Sequence, residues 1–208
     1  MTSPGRDEDR LALVRRLQAI AATGLEYASD PHDVARYEQL REIAAKLAGA
    51  AGDERIAALL TDGAGHPTPK VDVRGAVFRD GHVLLVREHS DGLWTLPGGW
   101  ADLDDTPRQA VEREVREESG WPVRATRLFA VDDRDRHNQP PHVHRIYKLF
   151  FLCERLAATP GETDHEIDDV GFFSLGDLPP LSTTRTSLDQ VERAFAHRAD
   201  PSLPAEFD

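Results

Sequence analysis

The chain has 208 residues, a formal net charge of −12 at pH 7 and a single cysteine. That length supports one substantial core, or a main domain with a small companion. The acidity argues against a general binder of nucleic acid or anionic membrane, and Cys153 alone excludes an internal disulfide framework. The opening MTSPGRDEDR has no apolar signal core, and no run reaches membrane-spanning length, so a soluble cytoplasmic protein is expected.

From about Asp7 to Leu60 the chain reads as helical. Leu13, Leu17 and Ile20 fall at helical spacing, and Gly24 is expected to end that helix. Asp30 caps a second helix that begins at Pro31, with Tyr37, Leu40, Ala44 and Leu47 on its apolar face. A short third helix is expected over Asp53–Leu60. So small a unit lacks a core of its own and needs a partner. It suits a cap on the main domain, a dimerisation arm that makes the protein a homodimer, or a helix-turn-helix reader. Its mild acidity counts against the last. Thr61–Pro69, TDGAGHPTP, reads as a boundary, giving a helical domain at 1–63, a linker at 64–69 and a main domain at 70–208.

From Lys70 the pattern changes to strands. Val71, Val73 and Val77 share one face, and Asp72, Arg74 and Phe78 the other. Asp80-Gly81 predicts a tight hairpin into His82–Arg87, and Leu93–Leu96 predicts a short strand that delivers Gly98 and Gly99. The next helix has clear limits: Thr106 as N-cap, Pro107 in the first helical position, Gln109 completing a capping box, and Gly120 as the left-handed stop. Further strands are expected at Ala125–Val131, Arg145–Cys153 and Val170–Phe173, the last of the sheet, with a terminal helix from Leu188 to about His197 capped by Ser187. Cys153 lies in an apolar strand and reads as a buried, inert thiol.

Within the helix that follows the glycines, Glu114, Glu117 and Glu118 project over one arc, since successive residues advance by about 100°. Val111 and Val115 form the adjoining apolar stripe, which places the carboxylates at the rim of a half-buried helix. Three anions on one face repel unless a cation sits among them, and hard oxygen ligands suit Mg²⁺ or Mn²⁺ bridging to substrate phosphates. A charge run of this kind is by itself more often a solvated helix face.

The full pattern carries more information: Gly99, Asp105 six residues on, then Arg113-Glu114-Val115, Glu117-Glu118 and Gly120 followed by apolar Trp121. It resembles the Nudix box, and the resemblance covers Lys70 to roughly Leu178. The family has glutamate where this chain has Asp105, one methylene shorter, so Asp102 and Asp104 are candidate substitutes for holding Arg113. The preceding helices, the GGWAD loop and the GFFSLGDLPPLS segment are similar to a branch with a helical N-terminal domain, described as ADP-ribose or CDP-choline pyrophosphatases.

The resemblance implies an α/β/α sandwich with a mixed sheet, preceded by a small all-α domain. It also implies hydrolysis of a nucleoside diphosphate linked to another moiety by metal and water. Glu114, Glu117, Glu118 and the carbonyl of Gly98 are the expected Mg²⁺ ligands, with Mn²⁺ as an alternative. Glu117 and a loop acid before the last strand, Glu166 or Glu162, are candidates for the general base. Arg74 and Arg87 are candidate phosphate ligands, each set against a plain salt bridge. Trp100 is set to stack on a base or a cationic head group, or else to plug the core. His137, His142 and His144 lie in a polar segment, DDRDRHNQPPHVHR, expected to face the substrate; without cysteines a zinc site there is the lesser reading. CDP-choline is the first expected substrate and ADP-ribose the second. A catalytically silent nucleotide sensor is the reading from another class, and the intact glutamate cluster counts against it.

Overall fold

The computed structural model describes residues 4–49, 67–137, 139–140, 142, 144–163 and 165–208. The chain divides into two compact units, one comprising Met1–Pro69 with Pro141–Arg145 and the other Lys70–Pro140 with Ile146–Asp208.

The first unit contains two helices packed on one another, α1 (Pro4–Tyr27) and α2 (Pro31–Gly49). Asp30 caps α2 as expected, its Oδ1 accepting from the amides of His32 at 2.8 Å and Asp33 at 3.3 Å. Gly24 does not end α1, which continues to Tyr27. The glycine makes room for the neighbouring helix instead: a Cβ there would lie 2.3 Å from the Tyr37 ring. The buried side chains are small, Val14, Ala21, Ala22, Ala44 and Ala48. Of the predicted apolar stripes, Leu13 and Ile20 stay 61% and 49% exposed, and Leu47 is exposed too. Close helix packing through alanines leaves Leu13, Ile20 and Leu47 outside, while Leu17, Tyr37 and Leu40 are partly buried. The short helix expected over Asp53–Leu60 lies outside the described residues.

The second unit is built on β1 (Lys70–Arg79), followed by β2 (His82–Glu88), β3 (Trp94–Thr95), α3 (Pro107–Ser119), β4 (Val123–Asp133), β5 (Ile146–Arg155), β6 (Ile167–Phe173), α4 (Leu188–Ala199) and β7 (Glu206–Phe207). The sheet order is β3-β2-β1-β5-β4-β7, with β6 on β2. β1 runs parallel to β5 from Lys70↔Ile146 to Val77↔Cys153 and joins β2 through an antiparallel hairpin. Asp80 and Gly81 take positive φ values of 50° and 77°, as a primed hairpin turn demands. β7 was not expected. A two-residue strand is too short for a periodicity signal, and it forms only because β4 offers a parallel partner at Ala130↔Glu206.

The central strand is buried on both faces. Val73 and Val77 enter one core with Val111 and Val115 of α3, while Ala76 enters another with Val191 and Ala194 of α4. Helices therefore cover opposite faces of a mixed sheet, giving the α/β/α sandwich. Among the described residues no helix is long and apolar enough to cross a membrane. Cys153 is buried in the first core, and burial pushes its thiol up to about 12.

α3 lies directly on the backbone of β1. A Cβ at Gly75 would sit 2.4 Å from Val115 Cγ2 and 3.3 Å from Val111 Cγ2. Gly75→Ala should therefore destabilise the protein by about 1–3 kcal/mol through overpacking, read as a lower urea midpoint at unchanged slope.

Candidate active site

Beyond the hairpin, the edge of β1 is taken by the glycine loop. The amide of Val73 donates to the Gly99 carbonyl at 2.8 Å, Gly75 to Pro97 at 2.9 Å, and Ala101 back to Val71 at 3.1 Å. Gly98 has φ 142°, and a Cβ on it would meet the Val73 carbonyl oxygen at 2.0 Å, so no other residue fits. Its amide donates to Glu118 Oε2 at 2.8 Å. A Cβ on Gly99 would come within 2.8 Å of Glu114 Oε2. Both glycines thus let the loop backbone approach the carboxylates of α3.

α3 is delimited as its sequence dictates. Thr106 and Gln109 form the reciprocal capping box, and Gly120, at φ 70°, closes the helix with its amide on the Arg116 carbonyl. On its rim Arg113 acts as a hub. Nε donates to Asp105 at 2.9 Å, Nη1 to Glu114 at 2.7 Å and Glu117 at 3.1 Å, and Nη2 lies 3.2 Å from Asp102. The shorter Asp105 therefore reaches the guanidinium directly, with Asp102 as a second anchor and Asp104 left exposed.

Beneath the loop lies a polar layer that the sequence did not disclose. Arg74, 5% exposed, grips Asp72 with Nε at 2.9 Å and Nη2 at 2.8 Å, and donates from Nη1 to the Leu96 carbonyl at 3.1 Å. Burial works against the Asp72 charge, yet Arg74 and Lys148 outweigh it and hold the carboxyl below its ordinary range. Lys148 is buried opposite, bonded to the Arg185 carbonyl and 3.7 Å from Asp72, and burial pulls its ammonium down to about 8. Burial also pushes Glu118 up to about 8, against the attraction of Arg74 and the Gly98 amide; Glu88 and Glu114 push it the same way. Glu114 and Glu88 are raised by burial too, although Arg113 and Arg185 respectively oppose the shift.

The other residues singled out in the sequence scatter around this centre. Trp100 is 46% exposed, so it does not plug the core; its backbone pairs with Asp72. Glu117 is half-buried against Arg113. Glu166 is exposed, with its carbonyl accepting from His89 at 2.9 Å, and its charge is felt by Glu88; Glu162 is exposed as well. Arg87 faces Asp169 across the β2–β6 pair, 3.7 Å away. His137 bonds Asp208 at 3.0 Å, and the rings of His142 and His144 lie 5.8 Å apart, tilted by 49°. Glu88, Lys148 and Arg185 carried no motif, because a lone charged residue in a strand or loop reads as surface.

A family model described as NUDIX domain matches residues 68–195. The chain belongs to the Nudix family. A second model, described as UDP-X-like, N-terminal oligomerisation domain, matches residues 8–61. A Bacillus subtilis (strain 168) protein named "Putative ADP-ribose pyrophosphatase YjhB" is 39% identical over 202 residues, 95% of this chain and 96% of that protein. Among solved structures, a UDP-X diphosphatase is similar over 96% of this chain and 98% of its own length, at 31% identity and a TM-score of 0.62. An ADP-ribose pyrophosphatase from Streptococcus suis 89-1591 covers 68% of this chain with 100% of its own, at 38% identity and the same TM-score of 0.62. The protein is thus a Nudix pyrophosphohydrolase, an enzyme acting on phosphoanhydride bonds.

Nudix hydrolases use divalent metal ions. Among the described residues no three acids, histidines or thiols converge as the side chains stand. The donor set nevertheless fits a hard cation. Glu118 is a largely desolvated carboxylate with no direct ion pair among the described residues, and the side-chain-free Gly99 keeps the space beside Glu114 clear.

The Glu118 shift has a testable consequence in the metal-free protein. Folded Glu118 keeps its proton up to about 8, whereas the unfolded chain releases it near the ordinary glutamate value of 4.5. The folded state therefore binds more protons in that window, and stability falls as pH rises from 4.5 to 8. Glu118→Gln lacks this titration. In chelator it should match wild type near pH 4.5 and exceed it above pH 8, by up to about 5 kcal/mol, as read from urea midpoints.

Proposed function

We propose that the protein is a Mg²⁺-dependent pyrophosphohydrolase of a nucleoside diphosphate linked to another moiety, with CDP-choline, cleaved to CMP and phosphocholine, as its best substrate. Mn²⁺ is the alternative metal. The observation that carries the choice is Trp100, an exposed aromatic ring on the glycine loop with exposed Asp102 two residues on. A quaternary ammonium has no hydrogen-bond donors and is held by aromatic faces and acids. The second reading is ADP-ribose, giving AMP and ribose 5-phosphate; it is favoured by the names of the relatives from Bacillus subtilis and Streptococcus suis.

In this reading Glu114, Glu118 and the Gly98 carbonyl hold the cation, with Glu117 beside them. The bound cation neutralises the phosphate oxygens and lowers the pKa of water. Arg113 fixes the side chains of Glu114 and Glu117, and Asp105 fixes Arg113. Glu117 or Glu166 takes the proton from the attacking water. The new oxygen–phosphorus bond then forms as the bridging bond breaks, and the leaving phosphate keeps the electron pair. Arg74 supports this site from below, since its donors are already engaged by Asp72 and Leu96. Arg87 and His137 are the further candidates for contacts to the substrate.

Glu114→Gln and Glu118→Gln should each reduce kcat by at least 10–100-fold without loss of fold. Activity within a few-fold of wild type in both would refute the ligand set. CDP-choline and ADP-ribose, assayed side by side with product identification, decide the substrate. Trp100→Ala should weaken CDP-choline turnover more than that of a CDP-alcohol lacking the ammonium. Ready ADP-ribose cleavage without CDP-choline cleavage would replace the first reading by the second.

We also place the protein in the cytoplasm, a reducing compartment consistent with its free buried Cys153, and propose that it works as a homodimer. Leu13, Ile20 and Tyr27, each seven residues apart on α1, are all exposed, as are Ile43 and Leu47 on α2. Such a ridge suits a partner helix. Leu13→Glu with Ile20→Glu should shift the mass seen by light scattering from dimer to monomer; an unchanged dimer would rule out this face.

A further inference from the structure

Arg185 lies outside every motif, in the segment that leads into α4. Its backbone is fixed from below, because the buried Lys148 and the Nε2 of Gln139 both donate to its carbonyl oxygen. Its guanidinium then spans two elements. Nη1 bonds Asp91 at 2.8 Å and Ser182 at 3.0 Å, Nη2 bonds Ser90 at 2.9 Å, and Nε lies 3.1 Å from Glu88 Oε1. The same segment holds the strand before the glycine loop: Thr186 bonds Thr95 Oγ1 at 2.8 Å and accepts from the Leu96 amide at 3.3 Å.

Glu88 is the acid this arrangement controls. It ends β2, at a register irregularity between Arg87 and Glu88 that re-aims the side chain, and its side chain is 12% exposed. Arg74 attracts both Glu88 and Glu118, and Glu88 repels Glu118. An unpaired Glu88 would compete with Glu118 for the buried Arg74 guanidinium beneath the loop.

We propose that Arg185 is a positioning residue that neutralises and holds Glu88, leaving the charge of Arg74 to Glu118 and setting the cation affinity of the site. The proposal rests on the divalent-metal reading of that site given above. Asp91 shares the Arg185 guanidinium, so Glu88, Asp91 and Arg185 together carry one net negative charge, and removing Glu88 or Arg185 alone shifts the local potential in opposite directions.

The test is calorimetric titration of the full chain with Mn²⁺ alone at pH 7.5, which does not depend on the substrate being right. Arg185→Gln leaves an extra anion and should bind Mn²⁺ about three- to tenfold more tightly, and Glu88→Gln leaves an extra cation and should bind it more weakly by a similar factor. Arg185→Gln/Glu88→Gln should return to within twofold of wild type, and Arg185→Lys, which keeps the charge, should do the same. Ser90→Ala removes a loop contact of the guanidinium without changing any charge, so its affinity should not move. Whichever of CDP-choline and ADP-ribose is turned over, Arg185→Gln should lower kcat about 10–100-fold with KM within threefold, and the double variant should recover most of the loss.

Equal affinities for wild type, Arg185→Gln and Glu88→Gln would overturn the proposal. So would a Ser90→Ala shift as large as that of Arg185→Gln, which would assign the effect to the loop. If Arg185→Gln fails to fold, Glu88→Gln decides: unchanged Mn²⁺ affinity in that variant overturns the pairing. Turnover of neither substrate would count against the substrate reading alone, because the titration needs no substrate.

Discussion

The contact on which the site depends is the hydrogen bond from the Gly98 amide to Glu118 Oε2. It fastens a loop to a helix, and it forms only because both are already pressed against β1. Gly98 lies against the Val73 carbonyl, and Val115 of α3 lies against Gly75 two residues along the same strand. One strand thus serves as the floor for the backbone of the loop and for the apolar stripe of the helix. The missing side chains at Gly75 and Gly98 set the spacing between them.

The electrostatics follow from that packing. Bringing α3 down onto the sheet buries Glu118 and raises its proton affinity, and the nearest compensation is Arg74, itself held by Asp72. The charges form an ordered series from the sheet outward: Lys148 and Arg74 around Asp72, then Glu118 above Arg74, then Glu114 and Glu117 tied to Arg113 at the rim. A buried carboxylate without its own ion pair is costly. It is also what a divalent cation needs, because the ion supplies the missing charge. The geometry that weakens the metal-free protein is therefore the geometry that prepares it for metal and phosphate.

The first unit obeys a different rule. Its helices meet through Val14, alanines and Gly24, which bury little apolar area, and Leu13, Ile20, Ile43 and Leu47 remain outside. Two helices packed in this way contribute little stability alone. The reading of this unit as an assembly element rests on that arithmetic together with the oligomerisation-domain match over residues 8–61.

What the sequence determined by itself was everything written in local bonds and periodicity. The limits of α3 follow from Thr106, Pro107, Gln109 and Gly120, whose partners all lie within a few residues. The Asp80-Gly81 hairpin, the two faces of β1 and the arc of Glu114, Glu117 and Glu118 are equally local, and the fixed spacing of the Nudix box added the chemistry. The tertiary structure alone decided the remainder. Gly24 reads as a helix stop until the Tyr37 ring of the next helix is seen against it. Asp105 reads as a deficient glutamate until Arg113 is seen to reach it. Arg74, on a strand near the phosphate region, reads as a ligand for substrate until its burial against Asp72 is known. Glu88 and Arg185 stand almost a hundred residues apart, with no pattern around either. Pairs of that kind have no signature in one sequence, because what joins them is the path of the chain through the fold.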